Sequence, residues 1–237
     1  MSSSSKFTRA GVRDYESRRY RSLDQRIVHA REIKLIGKML ALAAENRVAG
    51  SAPRRNSPSR TALDLPCGYG RFTPTLRELG YDVVSADLSF EMARRAAENA
   101  AAFGAASGGA PARAGTWFPA VAANAGRLPF RPGVFDLIFS IRFFHHVHQP
   151  EDRARILREF HRASAGYVLV SFYRMNGLHV LQRRLRRLFG KSRTNIKMIE
   201  PGIFEKTAES AGFETIRVYP LFRGLHAYHL ALLKKTG

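Results

Sequence analysis

A glycine-rich segment between an apolar run and a helical pattern carries the clearest chemical signal in the sequence. It reads ALDLPCGYGRF over residues 62–72, and Gly68 and Gly70 allow the backbone and its amide groups to approach a ligand closely at a helix start. Asp64 precedes the turn, where a carboxylate would repel a pyrophosphate and attract a cation. Thr73 takes the place of the third glycine of a dinucleotide motif, so a dinucleotide site is disfavoured.

A second carboxylate, Asp87, ends the apolar run VVSAD at residues 83–87. A carboxylate at the carboxyl end of a parallel strand can accept hydrogen bonds from both hydroxyl groups of a ribose. Because Asp64 and Asp87 flank the glycine-rich turn, the sequence predicts a nucleoside site at the carboxyl edge of a sheet. A plain strand-to-helix turn is the alternative interpretation.

The elements that would position these residues alternate between strand-like and helical patterns from residue 61 to residue 172. Such alternation is typical of βαβ units on a parallel sheet. The predicted strands are 62–65, 82–86, 135–141, 167–172, 214–219 and 227–233, and the predicted helices are 91–101, 201–211 and one that begins at Pro150.

Residues 1–50 form a basic N-terminal segment that is predicted to be mostly helical, because apolar residues recur at helical spacing. The members of this apolar stripe are Ile36, Met39, Leu40 and Ala43. Residues 50–60, rich in Pro, Ser and Arg, indicate an exposed loop. The sequence therefore divides into an extension of residues 1–60 and a domain of residues 61–237, with a basic helical insert at about 174–198.

The charge balance indicates what the protein could bind. The chain has 237 residues with 39 Lys and Arg against 19 Asp and Glu, a net charge of +20. Such an excess attracts nucleic acid, anionic membranes or acidic substrates, although an Arg-rich composition can produce it without any cluster. The single cysteine, Cys67, excludes an internal disulfide framework. No apolar run approaches the roughly 18 residues that span a bilayer, so we expect a cytoplasmic protein.

Together these motifs resemble the class I S-adenosylmethionine-dependent methyltransferases, in particular the small-molecule branch known as type 11. Residues 64–70 match the family's first motif, with Pro66 where glycine is commoner, and Asp87 matches the second. The run NAGRLPF at residues 124–130 resembles the third motif, with Asn in place of Asp, and residues 135–142 resemble the fourth strand. The resemblance implies S-adenosyl-L-methionine as cofactor, bound by Asp64, Pro66, Cys67, Gly68, Gly70, Asp87, Leu88, Met92, Asn124, Ala125, Ser140, Arg142 and Tyr20.

The resemblance also implies an α/β, Rossmann-like fold. Its sheet would have seven mostly parallel strands with helices on both faces and an antiparallel last strand, which the two late predicted strands fit. In related enzymes an N-terminal helix with aromatic residues closes over the cofactor. Tyr15 and Tyr20 are expected to fill that role here, with a packed surface helix as the alternative.

The candidate general bases are His145 and His146, in the run RFFHHVH at residues 142–148. This run follows the predicted strand 135–141, which resembles the family's fourth strand, at the sheet edge where ligands bind. A base is needed only if the acceptor is protonated at neutral pH, and it would accelerate transfer by about 10²–10⁴-fold. Loop or helix-capping histidines are the alternative, and no metal is expected because strict ligand spacing is absent.

A basic amphipathic helix is predicted at residues 178–189, with arginines on the faces beside an apolar stripe. The stripe consists of Leu178, Leu181, Leu185 and Leu188. Such a helix would contact the inner face of an anionic membrane peripherally, cover an anionic acceptor, or pack on the sheet with its arginines solvated.

The sequence therefore predicts methyl transfer to a small or lipid-linked acceptor, with an anionic acceptor as one version. An RNA methyltransferase is the alternative that the net charge favours. The Pro-Pro-aromatic run of base-amino methyltransferases is replaced here by SIRF at residues 140–143, which disfavours amino methylation of bases. A binding module that keeps the nucleoside site without catalysis is the third alternative.

Overall fold

A seven-stranded mixed sheet forms the centre of the computed structural model, which describes residues 23–47, 60–106, 119–175, 198–200, 202–222 and 227–236. The strands are β1 (Arg60–Asp64), β2 (Tyr81–Asp87), β3 (Ala120–Ala122), β4 (Phe135–Ser140), β5 (Ser164–Tyr173), β6 (Phe213–Pro220) and β7 (Tyr228–Lys235). Their order across the sheet is β3-β2-β1-β4-β5-β7-β6. Strands β1 to β5 are parallel, and β7 lies antiparallel between β5 and β6. The seven-stranded sheet with an antiparallel last strand is therefore confirmed.

Helices lie on both sides of this sheet. Those in the described part of the chain are α1 (Leu23–Arg47), α2 (Thr73–Glu78), α3 (Phe90–Ala106), α4 (Pro150–Ala163), α5 (Ile203–Ser210) and a 3₁₀ helix at Phe144–His146. The start of α4 follows directly from its sequence. Pro150 occupies the first turn, where no backbone donor is lost, and Glu151 and Asp152 lie at the positive end of the helix dipole.

Both faces of the sheet are buried, because successive residues of the central strands enter different cores. In β4, Leu137 and Phe139 belong to the core beneath α1 and α2. Ile138, between them, belongs to the core beneath α4 and α5. This double coverage explains why the central strands appear in the sequence as continuous apolar runs.

The predicted strands and helices of the described chain are present, and only their ends differ from the sequence prediction. Strand β3 was not predicted, because its three residues are too few to show a pattern and its pairing with β2 defines it. Strand β5 begins at Ser164, three residues before the predicted start at Tyr167, because pairing between Ser164 and Phe135 extends it beyond its apolar run.

The apolar stripe of α1 is confirmed as a buried face. Ile36 and Met39 have no exposed surface, and they share a core with Phe72, Leu137 and Phe139. Helix α1 therefore packs on the same face of the sheet as α2. The division of the chain at residue 60 remains a prediction.

Replacing Ile36 by Ala tests whether α1 unfolds together with the sheet. The substitution should lower the free energy of unfolding by about 2–5 kcal/mol, because it leaves a cavity in the shared core. Ile27→Ala is the matched control on the same helix, since Ile27 is 61% exposed and its loss should change stability by less than about 0.5 kcal/mol. Urea unfolding gives both values, and equal effects of the two variants would contradict the shared core.

Candidate active site

The glycine-rich turn between β1 and α2 is held close to the sheet and to α3. Gly68 and Gly70 have positive φ angles of 56° and 82°, a conformation that favours glycine. A Cβ atom on Gly70 would lie 2.8 Å from the Cα atom of Ala96 in α3, so a side chain there would displace that helix. The amide of Cys67 donates to the carbonyl of Ala86 in β2 at 2.8 Å. The turn therefore presents backbone, rather than side chains, at the carboxyl edge of β1.

Asp87 ends β2 beside this turn and is 9% exposed. The amide of Gly68 donates to its Oδ2 atom at 3.1 Å, and the amide of Ser89 donates to Oδ1 at 3.0 Å. Burial raises the pKa of Asp87 above its usual value, and these amide hydrogen bonds act in the opposite direction. The carboxylate is thereby fixed in orientation with acceptor capacity left for a ligand, because each oxygen can accept more than one hydrogen bond.

Asp64 ends β1 and is almost fully buried, with the hydroxyl of Thr73 donating to Oδ2 at 3.4 Å. Burial, with a contribution from the nearby Asp87, raises the pKa of Asp64 to about 8. Its carboxyl group is therefore largely protonated at neutral pH. The sequence prediction treated Asp64 as a fixed negative charge. The structure shows a group that a neighbouring cation would help to ionise.

The remaining predicted cofactor residues lie around the same edge of the sheet. Leu88, next to Asp87, is 76% exposed, whereas Met92, four residues further along the chain in α3, is buried. The Oδ1 atom of Asn124 accepts a hydrogen bond from the amide of Gly126 at 2.9 Å, so it closes a turn after β3. Burial raises the pKa of the Cys67 thiol well above its usual value, which disfavours a nucleophilic thiolate.

The turn after β4 contains the one positive φ angle that a residue other than glycine adopts in the described chain. Ser140 ends the strand fully buried, and its Oγ atom has no hydrogen-bond partner among the described residues. Arg142 follows with a φ of 61°, a conformation that costs a residue other than glycine about 1–2 kcal/mol. Its amide donates to the hydroxyl of Ser171 in β5 at 2.6 Å, which holds the turn in place.

A buried carboxylate on α1, Glu32, binds the side chain of Arg142. The Nε and one terminal nitrogen of Arg142 donate to the two Glu32 oxygens, each at 3.1 Å. Arg71, directly after the glycine-rich turn, also donates to Glu32, and the hydroxyl of Tyr228 donates to Oε1 at 2.6 Å. Burial alone would raise the pKa of Glu32, but the Arg142 and Arg71 guanidinium groups offset it and hold the pKa below its usual value.

Sequence reasoning missed Glu32, although one signal pointed to it. Glu32 lies four residues before Ile36, so it occupies the apolar stripe of α1 rather than its polar face. A charged residue in such a stripe requires a buried partner. The guanidinium group of Arg142, which the sequence prediction assigned to the cofactor pocket, is directed to this carboxylate in the structure.

His145 and His146 lie in the 3₁₀ helix after β4, at the same edge of the sheet. Their ring centroids are 3.9 Å apart, and the His145 ring contacts Tyr173, at the end of β5, with a centroid distance of 5.1 Å. Tyr173 in turn contacts Tyr228 at 5.2 Å. His145 is half-buried and His146 exposed. An aromatic residue that the sequence analysis did not select, Tyr173, therefore contacts one of the two predicted bases.

Two other predicted features cannot be placed. Tyr20 and the predicted basic helix at residues 178–189 lie outside the described residues. None of the described helices is long and apolar enough to cross a membrane. No group of three or more potential metal ligands occurs in the part of the chain that the structure describes.

The fold and the site define a nucleoside-binding α/β domain. Asp64, Asp87 and the glycine-rich turn converge at the carboxyl edge of a parallel sheet, where such folds bind ligands. Asp87 has free acceptor capacity, Ser140 has a buried hydroxyl that lacks a partner among the described residues, and Leu88 offers an exposed apolar surface. These features fit a ligand that combines a ribose, a cationic centre and an apolar ring.

Comparison with known proteins identifies that ligand. Residues 63–169 match the family model described as a methyltransferase domain, of the type 11 group. No curated protein sequence matches the chain significantly. The chain is an S-adenosylmethionine-dependent methyltransferase whose matched segment and fold resemble those of the class I enzymes, and its methyl donor is S-adenosylmethionine.

Solved structures show the same fold at low sequence identity. Magnesium protoporphyrin IX methyltransferase from Synechocystis PCC 6803, with bound S-adenosylhomocysteine, is 13% identical with a TM-score of 0.72, covering 98% of this chain and 97% of that one. A methyltransferase from Methanosarcina mazei is 22% identical with a TM-score of 0.57, covering 76% and 94%. A protein from Galdieria sulphuraria described as a sarcosine dimethylglycine methyltransferase is 16% identical with a TM-score of 0.59, covering 87% of this chain and 86% of that one.

The burial of Asp64 predicts a specific pH dependence of stability. The pKa rises from 3.8 to about 8 on folding, so the folded protein holds a proton that the unfolded chain has lost. The contribution of Asp64 to the free energy of unfolding is therefore largest below its pKa in the unfolded chain. As the pH rises, this contribution falls by about 1.4 kcal/mol per pH unit until the pH passes the pKa of Asp64 in the folded protein. Asp64→Asn removes this dependence, so the variant should gain stability relative to wild type from pH 5 to pH 8. Urea unfolding at each pH gives both free energies of unfolding. A difference between variant and wild type that stays constant from pH 5 to pH 8 would contradict the prediction.

Asp87 should contribute to cofactor affinity through its buried, oriented carboxylate. Asp87→Ala should weaken binding of S-adenosylhomocysteine by about 1.5–3 kcal/mol, the contribution of hydrogen bonds to a charged group. Asp82→Ala is the control, since Asp82 is exposed near the opposite end of the same strand. Calorimetric titration gives both affinities. Unchanged binding by Asp87→Ala would place the ribose elsewhere.

Proposed function

We propose that the protein transfers the methyl group of S-adenosylmethionine to a small acceptor that carries an anionic group. The observation that carries this proposal is the arrangement after β4 and β5. His145, His146 and Tyr173 lie together at the carboxyl edge. The ring of Tyr228 joins them to Arg142, because it contacts Tyr173 and its centroid lies 5.7 Å from the Arg142 guanidinium carbon. Cationic and aromatic side chains in one place favour an acceptor with an anionic group and a flat or apolar body.

The electrostatic balance around Arg142 supports an anionic acceptor. Glu32 contributes one negative charge, whereas Arg71 and Arg142 contribute two positive charges. Burial, followed by the charge of Arg71, lowers the pKa of His29, so this neighbour adds no charge at neutral pH. The group therefore has one excess positive charge. The side chain of Arg142 is 27% exposed, which gives an anion access to that charge.

Methyl transfer requires mainly that the protein align the acceptor with the methyl group and exclude water from the site. When bound, S-adenosylmethionine supplies an electrophilic methyl group on a cationic sulfur. The chain's residues would hold the acceptor in line with that group, and such orientation is worth effective molarities of about 10⁵–10⁸ M. Asp87 would bind the ribose hydroxyls, and His145 or His146 would accept the proton of a hydroxyl or other protonated acceptor. A carboxylate acceptor would need no base.

The structural neighbours support the small size of the acceptor. One is a magnesium protoporphyrin IX methyltransferase, and another is assigned to sarcosine and dimethylglycine, so this fold accepts both a macrocycle and amino acids as substrates. The first similarity extends over nearly the whole of both chains. A lipid-linked acceptor, approached through residues 178–189, is a weaker version because that segment lies outside the described residues.

RNA methylation remains the second candidate because of the net charge of +20. An RNA substrate would depend on many phosphate contacts, and its binding would fall steeply with salt concentration. A small anionic acceptor held by one excess charge would depend on salt much less.

Methyl transfer from labelled S-adenosylmethionine to fractions of a cell extract tests the proposal. We expect the label in small molecules that bind to an anion exchanger, because one anionic group is needed for recognition. Label in the lipid fraction would overturn the small-acceptor proposal in favour of the lipid-linked version. Label in ribonuclease-sensitive material would favour the RNA alternative.

The same assay identifies the base. His145→Gln and His146→Gln are compared with His148→Gln, an exposed histidine close to them in sequence. With a protonated acceptor, one of the first two variants should lower kcat by about 10²–10⁴-fold without changing affinity for S-adenosylhomocysteine. Full activity in both would remove the histidines from the chemistry.

A further inference from the structure

We infer that Glu32 is a positioning residue for the cofactor site, through which helix α1 holds the two loops that border it. Its carboxylate binds Arg71, directly after the glycine-rich turn, and Arg142, in the turn after β4. The inference rests on the use of S-adenosylmethionine and is independent of the acceptor.

The contact with Arg71 fixes the end of the glycine-rich turn. Arg71 follows Gly70 directly, so its side chain constrains the backbone that presents the turn to the ligand. Its guanidinium group contacts Nδ1 of His29 at 2.8 Å, besides Glu32, and lies 4.3 Å from the ring centroid of Phe72. Two residues of α1, one turn apart, therefore hold the same guanidinium group.

The contact with Arg142 fixes the turn after β4. Two nitrogens of one planar guanidinium group donate to the two oxygens of Glu32, an arrangement that restricts both distance and orientation. Arg142 has a positive φ, and such a conformation persists only where its surroundings hold it. The Ser171 hydroxyl holds the amide of this residue, and Glu32 holds its side chain. Ser140, the predicted cofactor contact with a buried hydroxyl, lies two residues before it.

The chemistry of the carboxylate requires both arginines. Glu32 has no exposed surface, so it has no water to stabilise its charge. Its Oε1 atom accepts from Tyr228 and Arg142, and its Oε2 atom accepts from Arg71 and Arg142. Every described partner is a donor. Loss of the negative charge would leave two guanidinium groups facing each other, and their repulsion would displace the loops that carry them.

The network also joins parts of the chain that the family model does not cover. Arg71 and Arg142 lie within the matched segment 63–169, whereas Glu32 and Tyr228 lie outside it. Helix α1 and strand β7 therefore supply the groups that hold the arginines of the methyltransferase core. In consequence, correct docking of α1 becomes a condition for an ordered cofactor site.

Glu32→Gln tests this inference, because it keeps the side-chain shape and removes the charge. We expect affinity for S-adenosylhomocysteine to fall by about tenfold or more, at a temperature where circular dichroism shows the variant folded. Amide hydrogen exchange should accelerate in residues 67–72 and 141–143. Glu45→Gln, an exposed position on the same helix, should change neither quantity. Glu32→Asp, which keeps the charge, should restore part of the affinity.

A purely structural role predicts a different result. Ile36→Ala leaves a cavity in the core beneath α1 and touches neither arginine, so it should lower the free energy of unfolding but leave affinity for S-adenosylhomocysteine unchanged wherever the variant is fully folded. If Ile36→Ala and Glu32→Gln weaken binding equally at matched stability, the positioning role is overturned. Unchanged affinity in a folded Glu32→Gln variant overturns it as well.

A double-mutant cycle tests whether Glu32 acts on the cofactor site through its contact with Arg71. Combining Glu32→Gln with Arg71→Gln should weaken binding no more than the stronger single variant, because both remove the same link. Multiplicative effects would show independent roles and contradict the inference. If Glu32→Gln does not fold, Arg71→Lys serves instead, since it keeps the charge and loses the fork of donors. We expect it to weaken binding about fivefold or more, and unchanged binding would overturn the inference.

Discussion

The buried negative charge of Glu32 is the interaction on which the arrangement of this protein depends. A carboxylate without access to water must be compensated by donors and positive charges that arrive with good geometry. Here the donors come from the loop after β1, the turn after β4 and strand β7. One helix, two loops and the antiparallel strand are therefore tied to a single point. A shift of any one of them would remove a donor from this buried charge.

The two aspartates at the carboxyl edge of the sheet are accommodated in a different way from the buried Glu32 carboxylate. Asp64 has only the Thr73 hydroxyl as a described side-chain hydrogen-bond donor and a pKa of about 8, so it avoids the cost of a buried charge by holding a proton. Asp87 accepts two amide hydrogen bonds and is oriented by them. A cationic ligand fits the first group and a ribose fits the second. The charge of Asp64 thus depends on what binds beside it, whereas Asp87 is held in orientation by backbone amides.

Tyr228 connects Glu32 to the histidines that we propose to face the acceptor. Its hydroxyl group donates to Glu32, and its ring contacts Tyr173, whose ring in turn contacts His145. The aromatic rings give this connection little freedom, because each rotates about few bonds and is packed on its neighbour. The proposed base His145 and the loops held by Glu32 are therefore joined by one continuous series of packed side chains. A change in how α1 docks would reach both halves of the reaction.

The sequence by itself determined the features that depend on neighbours along the chain. The glycine-rich turn, the carboxylates at strand ends, the apolar stripe of α1 and the central strands follow from local spacing and hydropathy. The resemblance to the methyltransferases supplied the seven-stranded sheet with its antiparallel last strand, and the strand order came from the structure. Strand β3 escaped prediction, because only pairing with β2 defines its three residues.

Only the tertiary structure decided the contacts of Glu32 and the protonation of Asp64. The partners of Glu32 are 39, 110 and 196 residues away in the chain, so no local pattern could pair them. The pKa of Asp64 depends on how completely the fold removes water from it. Hydropathy and spacing act over a few residues, whereas charge compensation and desolvation depend on which distant segments meet.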